Sequence, residues 1–155
     1  MKHIWFLFCT LLLCLSCEED KSVDPTLMPQ ATTTGENTFG CLVDGWVYVS
    51  GRWGTPVTTF TEQEGETRLT ISAEVGLKYY IDFTIINPRQ GETTTYTNAG
   101  FDNQSLEDGK VTVTRMSDGI VSGTFEGTRM TKGRFDLKYK ELPENEKAIS
   151  STQFQ

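Results

Sequence analysis

The chain has 155 residues, with 21 Asp and Glu against 14 Lys and Arg and a formal net charge of −7. One compact domain suits this length. An acidic chain with no basic stripe excludes nucleic acid as the expected partner, because phosphate binding needs clustered Lys and Arg, and argues against adsorption to anionic lipid headgroups.

The first residues read as a targeting segment. Lys2 and His3 precede an apolar run, Ile4–Leu15, broken only by Thr10. The run falls short of the roughly 20 residues of a membrane-spanning helix and suits the core of a signal peptide over residues 1–16. Cys9 and Cys14 would leave with it. Ser16-Cys17 then offers a small residue before a cysteine, with Leu15 at −2; the −3 position, Cys14, departs from the Leu usual in lipoprotein processing sites. Cys17 is thus the expected lipidation site, and two or three acyl chains at about 0.8 kcal/mol per buried CH₂ give stable anchoring. Glu18, Glu19 and Asp20 follow at once and look like the export signal of Bacteroidetes-type lipoproteins. The expected address is the outer membrane, displayed on the cell surface; the alternative is a periplasm-facing lipoprotein. Residues 17–36, with Pro25, Pro29 and the Thr32–Gly35 cluster, read as a flexible tether.

From Asn37 the apolar residues alternate, which predicts a β domain over 37–141. Phe39, Cys41 and Val43 alternate, Asp44-Gly45 offers a hairpin turn, and Trp46–Val49 resumes the strand. Leu69, Ile71 and Ala73 form the next strand, followed by Leu77–Ile86 with Tyr79, Ile81, Phe83 and Ile85 on one face. Thr93–Thr97, Val111–Thr114, Val121–Gly127 and Phe135–Tyr139 complete a series of about eight, with turns at Glu62–Glu66, Asn87-Pro88, Asn98–Gly109 and Ser117–Gly119. The fold class is all-β, an antiparallel sandwich or barrel. Residues 142–155 read as a polar C-terminal tail. Cys41, in phase with Phe39 and Val43, is expected to be a buried core residue and not a reactive thiol.

Two stretches, TTTGENTFGCLVDGWVYV and GIVSGTFEGTRMTKGRFDLKY, resemble the two ends of a family of small uncharacterised Bacteroidetes lipoproteins. One departure is Tyr48 at the family's Trp position, with Trp46 two residues earlier. The resemblance implies the address and the β fold, and no activity.

His3 is the sole histidine, so the exported part carries no imidazole for acid–base, nucleophile-activating or ordinary zinc chemistry. No phosphate-cradling glycine motif occurs. No catalytic residue, metal or cofactor is therefore expected. The acidic loops at Glu62–Glu66 and Asp102–Asp108 read as solvated turns; the second does not match the spacing of a twelve-residue calcium loop. Arg134 is out of phase with the core and could pair with Asp136 across one sheet face. Trp46, Tyr48 and Trp53, around the Gly51–Gly54 turn, are the candidate ligand-binding residues, for stacking on a sugar or anchoring a protein partner; the competing reading has Trp46 and Tyr48 completing the core. The function expected is a tethered surface binding module for glycan or protein, the alternative an envelope-accessory lipoprotein with no small ligand.

Cys17→Ser should abolish fatty-acid incorporation and move the protein from the membrane to the soluble fraction, as read by labelled-palmitate uptake and fractionation. Undiminished labelling would refute the assignment of Cys17.

Overall fold

The computed structural model describes residues 27–50, 54–63, 65–76 and 78–140. The expected leader, Cys17, the acidic run Glu18–Asp20, Trp53 and the C-terminal tail lie outside them. Ten strands make one antiparallel sheet: β1 Thr38–Val43, β2 Trp46–Val49, β3 Val57–Gln63, β4 Glu66–Val75, β5 Tyr79–Ile86, β6 Thr93–Phe101, β7 Gln104–Ser105, β8 Gly109–Ser117, β9 Ile120–Glu126 and β10 Met130–Lys138. The order across the sheet is β2-β1-β10-β9-β8-β6-β5-β4-β3, with β7 paired only to β6. The chain is therefore an up-and-down meander from β3 to β10, and the β1–β2 hairpin adds to the last strand. The expected all-β antiparallel fold is what forms, as a single sheet curled into a half-barrel.

The curl is visible in contacts between remote strands. Thr59 of β3 bridges Lys140 just past β10, Phe60 stacks on Tyr139 at 5.8 Å, and the Gly76 amide donates to the Val49 carbonyl at 3.3 Å. Such wrapping buries one face of most strands, which is why the alternation in the sequence is regular over β1, β4, β5 and β8–β10. Phe83 sits at the centre, 4.8 Å from Phe125, 5.0 Å from Tyr96 and 6.3 Å from Phe39 between ring centroids. Cys41 is fully buried, and burial pushes its thiol up to about 12.

Two turns obey their local chemistry. Asp44-Gly45 has φ of 52° and 83°, and Asp118-Gly119 has 55° and 70°; both residues of each pair take left-handed values, as a two-residue hairpin of right-handed twist requires. Two glycines within strands make room for aromatics. A Cβ on Gly123 would stand 2.8 Å from the Phe135 ring, and one on Gly133 would stand 2.5 Å from the Phe125 ring. In the final hairpin Val121, Gly123 and Phe125 thus point inward beside Phe135 and Leu137.

Two strands escape the sequence pattern. β3 carries Val57, Thr59 and Thr61 outward and only Thr58 and Phe60 part-buried, so its apolar alternation is faint. An edge strand with one covered neighbour does not need more. Glu62, Gln63 and Glu66, expected in a turn, end β3 and begin β4. β7, two residues long, stands where the sequence leaves a loop.

Residues 28–36 are fastened to the outside of the sheet, although they form no strand. Thr32 Oγ1 donates to Asp136 Oδ2 at 2.7 Å, and the Thr34, Gly35 and Glu36 amides converge on the same carboxylate at 2.9–3.2 Å. Ser122 Oγ completes the shell at 2.6 Å from Oδ1. Gly35, at φ 78°, supplies the left-handed residue that lets consecutive N–H groups face one anion. Burial of Asp136 alone would raise its pKa, but the donors Ser122, Thr32, Glu36 and Gly35 outweigh it and hold the carboxyl at about 2. Farther along, Arg134 Nη1 donates to the Pro29 carbonyl at 2.9 Å, Arg115 Nη1 to the Thr33 carbonyl at 2.6 Å, and Pro29 lies on Gly40. The pairing of Arg134 with Asp136 does not form. Both face outward on β10, yet each is engaged by the strap, because backbone amides fill the carboxylate's valences first. The folded unit thus reaches back to Met28, which is buried.

A folded pKa of about 2 against 3.8 unperturbed means that Asp136 contributes about 2 kcal/mol above pH ~4, lost as the pH falls toward 2. Asp136→Asn should cost about 2–4 kcal/mol in urea unfolding at neutral pH, flatten the acid limb, and speed hydrogen exchange of the Thr34, Gly35 and Glu36 amides. Phe125→Ala should cost about 3–5 kcal/mol as a core truncation without altering that exchange.

Candidate functional site

The meander puts the turns β4–β5 and β6–β7 at one end of the half-barrel, and two of the aromatics expected to bind, Trp46 and Tyr48, are found there. Val43 pairs with Trp46 and Cys41 with Tyr48, so both β2 aromatics share the inner face with the core. They differ in depth. Tyr48 is part-buried, meeting Phe101 at 4.9 Å and Tyr79 at 5.6 Å edge-on, while Tyr79 stacks on Phe101 at 5.5 Å. Trp46 is 68% exposed. The Gly76–Val49 hydrogen bond sets the far end of β2 level with the β4–β5 turn; the hairpin tip, and Trp46 on it, therefore overhangs that rim. The core-completing reading holds for Tyr48 and fails for Trp46.

The overhang is braced. Arg129 in the β9–β10 turn donates to Asp44 through Nε at 2.9 Å and Nη2 at 2.6 Å, and the Asp44 amide donates to the Arg129 carbonyl at 3.0 Å. The Arg129 hydrogen bond holds the Asp44 carboxyl below its ordinary range. A forked guanidinium fixes orientation as well as distance, so Trp46 is presented on a hairpin whose tip is clamped. The Tyr48 hydroxyl is pushed up by burial first, then by the charges of Tyr79, Asp44, Cys41 and Asp102.

Beside the cluster the rim turns outward. Tyr79 and Tyr80 point to opposite faces of β5, and Tyr80 is 52% exposed. It borders an open groove of about 420 Å³ lined by Asp82, Asn98, Gly100, Asp102, Gln104 and their neighbours. Asp82 faces Gly100, where a Cβ would stand 3.0 Å from Oδ1; the glycine makes space for the carboxylate. Burial raises the Asp82 pKa, and no hydrogen bond or ion pair engages it among the described residues. Asn98, Asp102 and Asn103 take positive φ of 52°, 47° and 64°, conformations that Asn and Asp tolerate best. Together the groove presents carboxylate and amide groups beside an exposed phenol ring, an arrangement suited to hydroxyl-rich ligands and not to apolar ones.

Sequence reading missed Tyr79, Tyr80 and Asp82 as site residues. The signal was present: two adjacent aromatics opening a strand cannot both face the core. Among the described residues no group of three or more His, Cys, Asp or Glu is placed to hold a metal. In the Asp102–Asp108 loop, Glu107 instead accepts from Thr128 Oγ1 at 2.5 Å. Comparison with protein-family models, curated proteins and solved structures yields no match to this chain.

Truncation separates the two β2 aromatics. Tyr48→Ala should destabilise the fold by about 2–4 kcal/mol, since it opens a ring cluster, whereas Trp46→Ala should stay within about 0.5 kcal/mol, as exposed positions do. Thermal or urea unfolding reads both.

Proposed function

We propose that the protein is a lipoprotein, held through Cys17 in the outer membrane and displayed on the cell surface, that binds an oligosaccharide at the rim of its half-barrel. The observation that carries this reading is the exposure of Trp46, Tyr79 and Tyr80, at 68, 41 and 52%, at the end of the sheet that also holds the Asp82–Asn98–Gln104 groove. Large rings that the fold leaves in water, Trp46 on a braced hairpin and the two tyrosines at the start of β5, offer flat apolar faces to the C–H face of a sugar. The neighbouring carboxylate and amides supply the hydrogen bonds that hydroxyl groups need. A protein partner would use the same rings as anchors, but the polar groove favours the sugar.

The test is a glycan array probed with the protein, followed by calorimetry on the retained sugar. Trp46→Ala and Asp82→Asn should each weaken binding at least tenfold, about 1.4 kcal/mol, with unfolding midpoints near wild type. Retention of no sugar would leave the envelope-accessory reading in its place.

A further inference from the structure

The chain is acidic overall, yet folding gathers cations on the outer face of β8–β10. We infer that this face binds an anionic sugar polymer, one bearing carboxylate or sulfate groups, in a groove separate from the rim. A groove of about 610 Å³ crosses the face, lined by Lys110, Lys132 and Arg134 over a floor of Thr93, Thr112 and Thr124, with Ala31 of the strap at its margin. A second groove, of about 470 Å³, continues it past Lys110 and Glu126, which line both. Together they make an elongated track, the shape a polymer needs and a single ion does not.

The cations come from strands distant in sequence. Thr93, Thr112, Thr124 and Arg134 form one cross-strand row by register, and Lys110 and Lys132 lie two residues along from it. Lys132 stands there through a distortion. The β1–β10 register shifts between Gly40 and Leu42, and Lys132 takes φ 51°, the one left-handed residue among those described that is neither Gly, Asn nor Asp. The bulge leaves Met130 buried in the core while Lys132 projects to the outside. Lysine gains nothing locally from that conformation, and strain of this kind gathers where a side chain must be aimed. Arg134 spends Nη1 on the Pro29 carbonyl, which leaves Nε and Nη2 for a ligand. Lys110 and Lys132 enter no salt bridge among the described residues; of the carboxylates, Glu126 lines both grooves, opposite Lys110 in the β8–β9 register, and Asp108 lines the second, so three cations face two carboxylates along the track.

A bilayer surface fits less well: the floor is threonine, without apolar side chains to insert, and the net charge repels anionic headgroups.

The experiment measures retention of the intact protein by polygalacturonate, dextran sulfate and neutral dextran in affinity electrophoresis, over a salt series. Wild type should be retarded by the two acidic polymers and not by neutral dextran. Lys132→Glu and Lys110→Glu should each weaken retention at least tenfold, and Glu126→Gln should strengthen it. Arg89→Glu, in the β5–β6 turn, makes the same change in net charge away from the face and should leave retention unaltered. Equal losses in Arg89→Glu and Lys132→Glu would reduce the effect to overall charge and overturn the proposal. So would no retardation by either acidic polymer, or capture of the Cys17→Ser protein only by phosphatidylglycerol vesicles. The rim reading is tested by neutral sugars and Trp46, so each proposal fails alone.

Discussion

The Asp136 carboxylate is the constraint on which the arrangement of this domain depends. A buried carboxylate is costly unless several donors meet it, and here the donors are consecutive amides of the strap, with Thr32 and Ser122. Satisfying one atom pair therefore fixes the path of the chain before β1, the position of β1 against β10, and the side chain of a β9 residue. The meander alone would leave β10 as an edge, open to pairing with another chain. The strap delivers β1 to that edge, and the β1–β2 hairpin covers it. Because the carboxylate lies opposite Ser122 in the β9–β10 register, the same interaction also ties the closing hairpin to the first strand.

Inside the sheet, shape complementarity is made by subtraction. Phe125 and Phe135 sit over Gly133 and Gly123, on partner strands, in reciprocal fashion. Each glycine weakens its own strand, and the loss is offset where the facing ring fills the space. The two pairs therefore couple. Enlarging either glycine displaces a ring that packs, through Phe125, on Phe83 and Phe39 at the centre. A core organised this way resists single-residue drift, since most changes of volume are felt by a neighbour on another strand.

The strands with strong alternation, from Phe39–Val43 to Phe135–Leu137, are legible in the sequence because each buries one face completely. β3 is not, because an edge strand covered on one flank needs only Phe60 and Thr58 to hold it. The site is legible in part. Trp46 is identifiable as an aromatic near a turn, but its exposure depends on how far the hairpin tip overhangs the β4–β5 turn, a tertiary offset set by the curl of the sheet. Lys110, Lys132 and Arg134 lie apart in the sequence and read as scattered solvated charges. Only register, together with a bulge that no local residue type announces, makes them neighbours. The opening Thr-Gly-Glu-Asn stretch and the closing Arg-Phe-Asp stretch, about a hundred residues apart in the sequence, are the segments that the Asp136 shell joins.

The strap also bears on how such a domain would stand on a membrane. Were Cys17 the lipid-bearing residue, an extended chain from there to Met28 could span at most roughly 36–40 Å. A strap free up to β1 would add about 3.3–3.6 Å for each further residue. Docking residues 28–36 would then shorten such a leash and attach it to a defined face, the outside of β1 and β10. Tension on the anchor would fall first on Pro29, held by Arg134 and seated on Gly40, and only then on the amides around Asp136. With a lipid on Cys17, the domain's stability and its attachment would rest on the same set of hydrogen bonds, and a change that loosens the strap would lengthen the tether at the same time.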